Sequence, residues 1–189
     1  SVFFNTILAS LAMWAGDGAV AALYFANRMV QLPLALFGVA SAQASLPTMA
    51  EQAARQDGQA LRTTLQTVLR MVAFVTIPAA VGLVALAWPI VQACFERGAF
   101  DRQSTVMTAQ ALGLLAVGLL GFSMSKVLTG AFYALKDTAM PVRLAAEAFA
   151  VNVVLAAALI RPLGLGGLAL APSLASSLTA WRLLRTLER

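Results

Sequence analysis

The sequence contains long stretches without a charged side chain, among them residues 71–95 and 104–125, each of more than twenty residues. About 20 consecutive apolar residues make a helix long enough to cross the hydrocarbon core of a bilayer. The soluble core of a 189-residue chain does not require runs of this length. A hydrophobic fraction of 60% and a charged fraction of 11% support the same conclusion. We therefore predict an all-α integral membrane protein.

The other apolar segments complete a six-helix transmembrane bundle, which we treat as a single lobe over residues 1–189. Residues 49–70 are polar, and we interpret them as a linker. Leu61, Leu65 and Val68 recur there at helical spacing, which predicts an amphipathic helix on the membrane surface. The predicted spans are residues 1–15, 18–49, 71–95, 104–135, 144–160 and 163–181.

The basic residues of the predicted loops are distributed unequally between the two sides of the bundle. One side has only Arg97, Arg102 and Arg161. The positive-inside rule places the other, richer side in the cytoplasm, and both ends of the chain with it. A net charge of +5 could also suggest a nucleic-acid partner, but the basic residues form no concentrated patch, and we predict none. The richer side collects Arg55, Arg62, Arg70, Lys136, Arg143, Arg182, Arg185 and Arg189.

Several kinds of chemistry are excluded by composition. The sequence has no histidine and a single cysteine, Cys94, so His-based triads, the usual zinc clusters and an internal disulfide are absent. We predict no catalytic residue, no metal site, no cofactor and no enzyme activity. The opening SVFFNTILAS has neither a Met nor a basic segment, and we expect the chain to be a piece of a longer protein without a signal peptide.

The candidate functional residue is Arg28, within YFANRMVQLPLALFGVASAQASLP at residues 24–47. No carboxylate lies within ten residues of it, and ten residues of helix from Gly18 place it about 15 Å into the membrane. A charge at that depth is costly, so such an arginine usually faces a water-filled cavity or a polar partner. The alternative is an arginine at a helix end, or one bound by another helix's carbonyls. Pro33 removes a backbone donor and predicts a kink in this helix.

Four segments, in order, resemble the MurJ/MviN lipid II flippase family. ALYFANRMVQLPLALFGVA is similar to that family's hallmark helix, with its Y-A-D-R-L and P-x-G-L-F-G-V-A patterns. FERGAFD, GFSMSKVLTGAFYALKDTAMPVR and RPLGLGGLALAPSLA are similar to later segments of the family. Together the four segments extend over nearly the whole chain.

The resemblance implies the multidrug/oligosaccharidyl-lipid/polysaccharide exporter fold, with two six-helix lobes around a central cavity. Six spans with cytoplasmic ends fit the second lobe. The implied function is transfer of lipid II, the undecaprenyl-diphosphate-linked peptidoglycan precursor, from the cytoplasmic to the periplasmic leaflet of the bacterial inner membrane by alternating access. The expected partners are this lipid-linked diphosphate, membrane lipids and the other lobe.

The resemblance also assigns roles to single residues. Arg28 corresponds to a cavity arginine that helps to hold the diphosphate, and Asn27 stands where the family commonly has Asp. Lys126 matches the family's S-x-x-K-V-L pattern and either faces the cavity or extends to the cytoplasmic surface. Some members bind sodium, and the matching positions here lack a carboxylate, so we predict no sodium site. Those positions are Asn5, Asn152, Ala156 and Pro172.

Other interpretations remain open at this stage. The chain could belong to another exporter of the same fold, such as an O-antigen or teichoic-acid precursor flippase or a drug/ion antiporter. It could instead be a membrane scaffold that recruits cell-wall enzymes. Glu147 could relay protons or pair with Arg143 one turn away, and Gly113, Gly118 and Gly121 are interpreted as helix-packing contacts.

Overall fold

The computed structural model describes residues 18–98 and 100–187, and these form helices joined by short turns. This confirms the all-α class. The first predicted span, residues 1–15, lies outside the described residues. In chain order the elements are α1 (Ala19–Pro33), the π-helical segment π1 (Leu34–Val39), α2 (Ala40–Ala54), α3 (Gly58–Ala85), α4 (Ala87–Phe95), α5 (Arg102–Val117), α6 (Leu119–Ala134), α7 (Ala139–Leu163) and α8 (Leu165–Leu187).

The segments α1, π1 and α2 form one continuous helix of 36 residues. In a regular α-helix, Gly38 would lie about 80° around the axis from Val30, because each residue turns about 100°. The wider turns of π1 bring Gly38 back to the buried side, where it contacts Ser123 of α6. The π turns follow directly after Pro33, which cannot donate to the helix ladder. A change in axis direction at Pro33 stays a prediction.

The predicted surface helix between residues 49 and 70 is not a separate element, and the prediction is wrong on this point. Helix α2 continues to Ala54, and the chain turns within three residues. Asp57 then caps α3 by accepting a hydrogen bond from the Ala60 N–H at 2.9 Å. Leu61, Leu65 and Leu69 are buried in the first half of α3, so this apolar stripe packs inside the lobe instead of on a lipid surface.

The predicted third span, residues 71–95, is divided between α3 and α4. The division falls at Leu86, whose backbone is not helical. Pro89 lies in the first turn of α4, where its missing N–H would have no helical partner in any case. After the next loop, Asp101 caps α5 by accepting a hydrogen bond from the Ser104 N–H at 2.8 Å, and this bond lowers the pKa of the Asp101 carboxyl.

The predicted fourth span, residues 104–135, is two helices, α5 and α6, inclined at 45° to each other. At the break the Gly118 N–H donates to the Leu115 carbonyl, which leaves the Leu114 carbonyl without its usual helical donor. The Ser173 hydroxyl of α8 donates to that carbonyl at 2.9 Å. A side chain from a neighbouring helix therefore supports the bend.

The apolar core consists of two clusters, one toward each end of the bundle. The first joins α1, α4 and α5 with the beginning of α8, and the second joins α3, α6 and the end of α8. Along the helices the buried hydroxyls of Thr76, Ser123 and Ser173 lie between the two clusters. Small polar residues in this layer let the helix backbones approach closely, as in other membrane bundles.

Three helices in the described part of the chain are long and apolar enough to cross a membrane, and a fourth is added if α5 and α6 count as one bent span. These three are the α1–π1–α2 helix, α3 and α7. The predicted sixth span, which corresponds to α8, does not pass this test. Its sequence is rich in Gly and Ser, which reduce its hydropathy, although many of its residues are buried against other helices. The count of six spans is therefore not confirmed by length and composition.

Candidate functional site: a polar face on the first helix

Arg28 lies on the side of α1 that faces away from the core of the lobe. The buried residues Ala22, Ala26 and Val30 form one stripe of this helix. Arg28 is two residues, or about 200°, from Ala26, which places it on the opposite side. Its side chain is exposed, and it makes no hydrogen bond or ion pair with any other described residue. Within residues 18–98 and 100–187, the guanidinium is therefore available to bind a further group.

The exposed face of α1 is polar around Arg28, although Val20 and Leu32 are also exposed there, and it differs in this from residues 71–85 of α3 and 148–160 of α7. Beside Arg28 it carries the exposed side chains of Tyr24, Asn27 and Gln31. A face directed at acyl chains would be apolar, since unpaired polar groups are costly in hydrocarbon. The exposed faces of the other two helices carry large apolar residues, namely Met71, Phe74, Ile77, Val81, Val84, Val142 and Val154.

Lys126 lies on an exposed strip of α6. On one side of this strip, Ser123 and Gly130 approach π1 and α2, at Gly38 and the Ala42 carbonyl. On the other side, the Ser125 hydroxyl donates to the Ser176 carbonyl of α8 at 3.3 Å. We call the channel between π1–α2 and α8, with this strip of α6 as its floor, the groove.

The structure does not bring Lys126 and Arg28 together. The contacts of Ser123 with Gly38 and of Gly130 with Ala42 place Lys126 level with Ala40. Ala40 is twelve residues beyond Arg28, which corresponds to about 18 Å along the helix. Both residues are exposed cations, but they occupy different depths of the lobe. Asn27 and Arg28 are neighbours in the chain, and Asn27 also has no hydrogen-bond partner among the described residues.

The chain is similar to known proteins along its whole length. The family model described as "Lipid II flippase MurJ" matches residues 1–189. The chain belongs to this family. A solved structure described as "Lipid II flippase MurJ, inward closed conformation" superposes with a TM-score of 0.89 and 27% identity, covering 98% of this chain and 39% of that one.

Several relatives carry the same description. A probable lipid II flippase MurJ of Bdellovibrio bacteriovorus is 38% identical over 173 residues, which cover 92% of this chain and 33% of the relative. The probable lipid II flippase MurJ of Vibrio cholerae is 33% identical over 188 residues, covering 100% of this chain and 35% of the relative. The chain thus spans about a third of the length of the MurJ relatives that it matches.

Of the four positions for which the resemblance predicted no sodium site, two lie on α7. Asn152 and Ala156 are one turn apart and buried, and Pro172 of α8 is half-buried. Asn5 lies outside the described residues. The Asn152 Oδ1 atom has no hydrogen-bond partner in the described part of the lobe. Within residues 18–98 and 100–187, no group of three or more His, Cys, Asp or Glu side chains could hold a metal ion.

Glu147 makes a contact that the sequence did not indicate. The predicted pairing with Arg143 is wrong, because Arg182 of α8 donates a hydrogen bond to the Glu147 carboxylate and forms an ion pair with it. The two residues are 35 positions apart, so helical spacing could not identify them as neighbours. Both side chains are about half exposed, so the pair adds little to stability, and its main effect is to join α7 to α8.

Proposed function

We propose that the chain is the second lobe of a bacterial inner-membrane flippase that moves lipid II from the cytoplasmic to the periplasmic leaflet. The observation that carries this proposal is the exposed Arg28 guanidinium, which has no partner among the described residues and lies on the side of α1 away from the buried stripe. Membership of the MurJ family supports the choice of a lipid-linked diphosphate as cargo. Both ends of the chain lie in the cytoplasm in this proposal.

Arg28 binds the diphosphate of the cargo. Guanidinium suits this task because it stays charged and presents several N–H donors in a rigid fork that matches phosphate oxygens. Asn27 contributes a neutral amide, which can donate to the same headgroup without cancelling the charge of Arg28. Lys126 supplies a second exposed cation on α6, at another depth of the lobe, so it contacts the diphosphate at a different point of its path.

The transport cycle needs the other lobe. A polar headgroup must be enclosed away from hydrocarbon while its polyprenyl chain stays in lipid, and α1 closes only one side of such an enclosure. Rocking of two lobes about the bound headgroup would open the cavity first inward and then outward. The cargo leaves chemically unchanged, so the process is transport and the protein is not an enzyme.

The test is a charge substitution in the full-length protein, expressed in cells from which the endogenous flippase is depleted. A charge-assisted hydrogen bond contributes about 1.5–3 kcal/mol, so Arg28→Ala should reduce lipid II transport by about 10- to 100-fold. Transport is measured as lipid II accessible at the periplasmic face, at matched protein levels. Arg28→Lys keeps the positive charge but lacks the forked N–H donors of guanidinium. Its transport rate should therefore lie between those of the parental protein and Arg28→Ala.

Arg161→Ala is the matched control, because Arg161 is an exposed arginine in the last turn of α7, outside the polar face. This variant should transport lipid II at the parental rate. Equal transport by Arg28→Ala and Arg161→Ala would overturn the proposal.

A further inference from the structure

The sequence has two tyrosines, and each lies within two helical turns of Arg28 or Lys126, on the same side of its helix. Tyr24 precedes Arg28 by four residues, and Tyr133 follows Lys126 by seven, so each pair shares one side of its helix. Both rings are accessible, with 66% of Tyr24 and 48% of Tyr133 exposed. Lys126 and Tyr133 belong to one helix, α6, and both lie on the floor of the groove.

Each pair offers the two kinds of contact that a glycosylated polyprenyl diphosphate requires. The cation binds phosphate oxygens. The aromatic ring packs against the apolar C–H face of a sugar, and its hydroxyl stays available to donate or accept hydrogen bonds. A diphosphate held without a sugar partner would need only the cation.

The separation of the pairs means that one diphosphate cannot contact both cations at once. About 18 Å of helix divides the level of Lys126 from that of Arg28, which is several times the length of a diphosphate. In the orientation proposed above, Tyr133 and Lys126 lie nearer the cytoplasm, and Arg28 and Tyr24 lie nearer the periplasm.

We infer that this lobe holds two successive headgroup stations: an inner station of Lys126 and Tyr133, and an outer station of Arg28 and Tyr24. The inference rests on the proposed function and adds an order of events to it. The diphosphate binds the inner station first, and then moves toward the periplasmic side of the lobe to the outer station. Tyr133 acts as a specificity residue, because it distinguishes a sugar-bearing diphosphate from a bare one.

The experiment places a photoreactive p-benzoylphenylalanine in the full-length protein at Thr129 or at Gln31. Thr129 is three residues beyond Lys126, and Gln31 is three residues beyond Arg28, so each reports on one station. The probes are lipid II and undecaprenyl diphosphate, presented in membrane vesicles. Arg62→Ala, which removes an exposed cation of α3 outside the groove, is the control variant.

Lys126→Ala should reduce the lipid II crosslink at Thr129 by about tenfold, with a matching loss at Gln31, because the inner station is filled first. Arg28→Ala should abolish the crosslink at Gln31 and leave that at Thr129 within about twofold of the parental value. Tyr133→Ala should weaken crosslinking of lipid II but not of undecaprenyl diphosphate, whereas Tyr133→Phe should retain both.

The outcomes separate the inference from the proposed function. An unchanged Thr129 crosslink in Lys126→Ala, together with normal labelling at Gln31, would remove the inner station and leave the flippase proposal intact. An equal effect of Tyr133→Ala on both probes would remove its role in sugar recognition. Absence of any lipid II crosslink at Gln31 in the parental protein, combined with full transport by Arg28→Ala, would refute the proposed function itself.

Discussion

At the scale of single residues, the contact between α6 and α8 depends on two glycines. A methyl group added to Gly118 would lie 2.6 Å from the Ser173 Cα, and one added to Gly121 would lie 2.8 Å from the Ser177 backbone nitrogen. Neither backbone can move away without displacing a helix. Gly113, by contrast, has no atom within 4 Å of the added methyl group.

We expect Gly118→Ala and Gly121→Ala each to destabilise the full-length protein by about 1–3 kcal/mol, the usual cost of overpacking. The measurement is the thermal unfolding midpoint in detergent. Gly113→Ala is the matched control and should leave the midpoint unchanged or raise it slightly, because alanine is the better helix former. A similar loss in all three variants would show that these contacts do not determine stability.

The residues that could be predicted from sequence are those whose chemistry conflicts with their surroundings. Arg28 is recognisable because a permanent charge in an apolar stretch requires an explanation. The three glycines of residues 113–121 cannot be ranked from sequence, because only the structure shows that Gly113 faces open space. The ion-pair partner of Glu147 could not be predicted from the sequence either, since it lies on another helix.

At the scale of elements, the π-helical turns of π1 correct the rotational register of the longest helix. They behave as a regular helix would with one residue inserted, which is the usual origin of such turns. Buried positions thus continue from Val30 through Gly38 to Ser45 on one side of the helix. Removing one residue within π1 should restore a regular α-helix without changing which side is buried.

Deletion of Ala35, an exposed residue of π1, should therefore leave the full-length protein folded, with an unfolding midpoint within a few degrees of the parental one. Deletion of Ala44, an exposed residue in the regular part of the helix, turns everything after it by about 100° and should prevent stable folding. Size-exclusion chromatography and thermal unfolding distinguish the two. Equal tolerance of both deletions would contradict this account of π1.

The apolar runs of the sequence predicted where helices occur, but they did not predict where those helices break. The sequence gives a reason for π1, because Pro33 precedes it. The bend between α5 and α6 has no proline, and it exists because Ser173 of another helix binds the Leu114 carbonyl. A helix break that is stabilised by a side chain of another helix leaves no signal in the local sequence. Residues 104–135 were for this reason predicted as one helix.

At the scale of the whole molecule, the orientation in the membrane can be tested with the cysteine of α4. Cys94 is exposed and close to the loop that the positive-inside rule assigns to the periplasm. In the full-length protein, with cysteines outside this chain replaced, a membrane-impermeant maleimide should label Cys94 in cells with an intact inner membrane.

The comparison is Thr138→Cys in a Cys94→Ser background, since Thr138 is exposed in the turn before α7, on the opposite side. This variant should react only after the inner membrane is permeabilised. The reverse labelling pattern would show that the lobe has the opposite orientation in the membrane. The inner and outer stations would then be exchanged.

Helices α7 and α8 contact each other near both ends of the hairpin that they form. Near their connecting turn, the Gly167 Cα lies so close to the Leu159 carbonyl that an added methyl group would overlap it at 2.3 Å, and at the far end Arg182 is bound to Glu147. Because the backbones of α7 and α8 pack this closely at the turn, we expect the hairpin to move as one rigid body during the transport cycle. Any change in the lobe's internal shape would then have to occur in the other helices, including the 36-residue helix that carries Arg28.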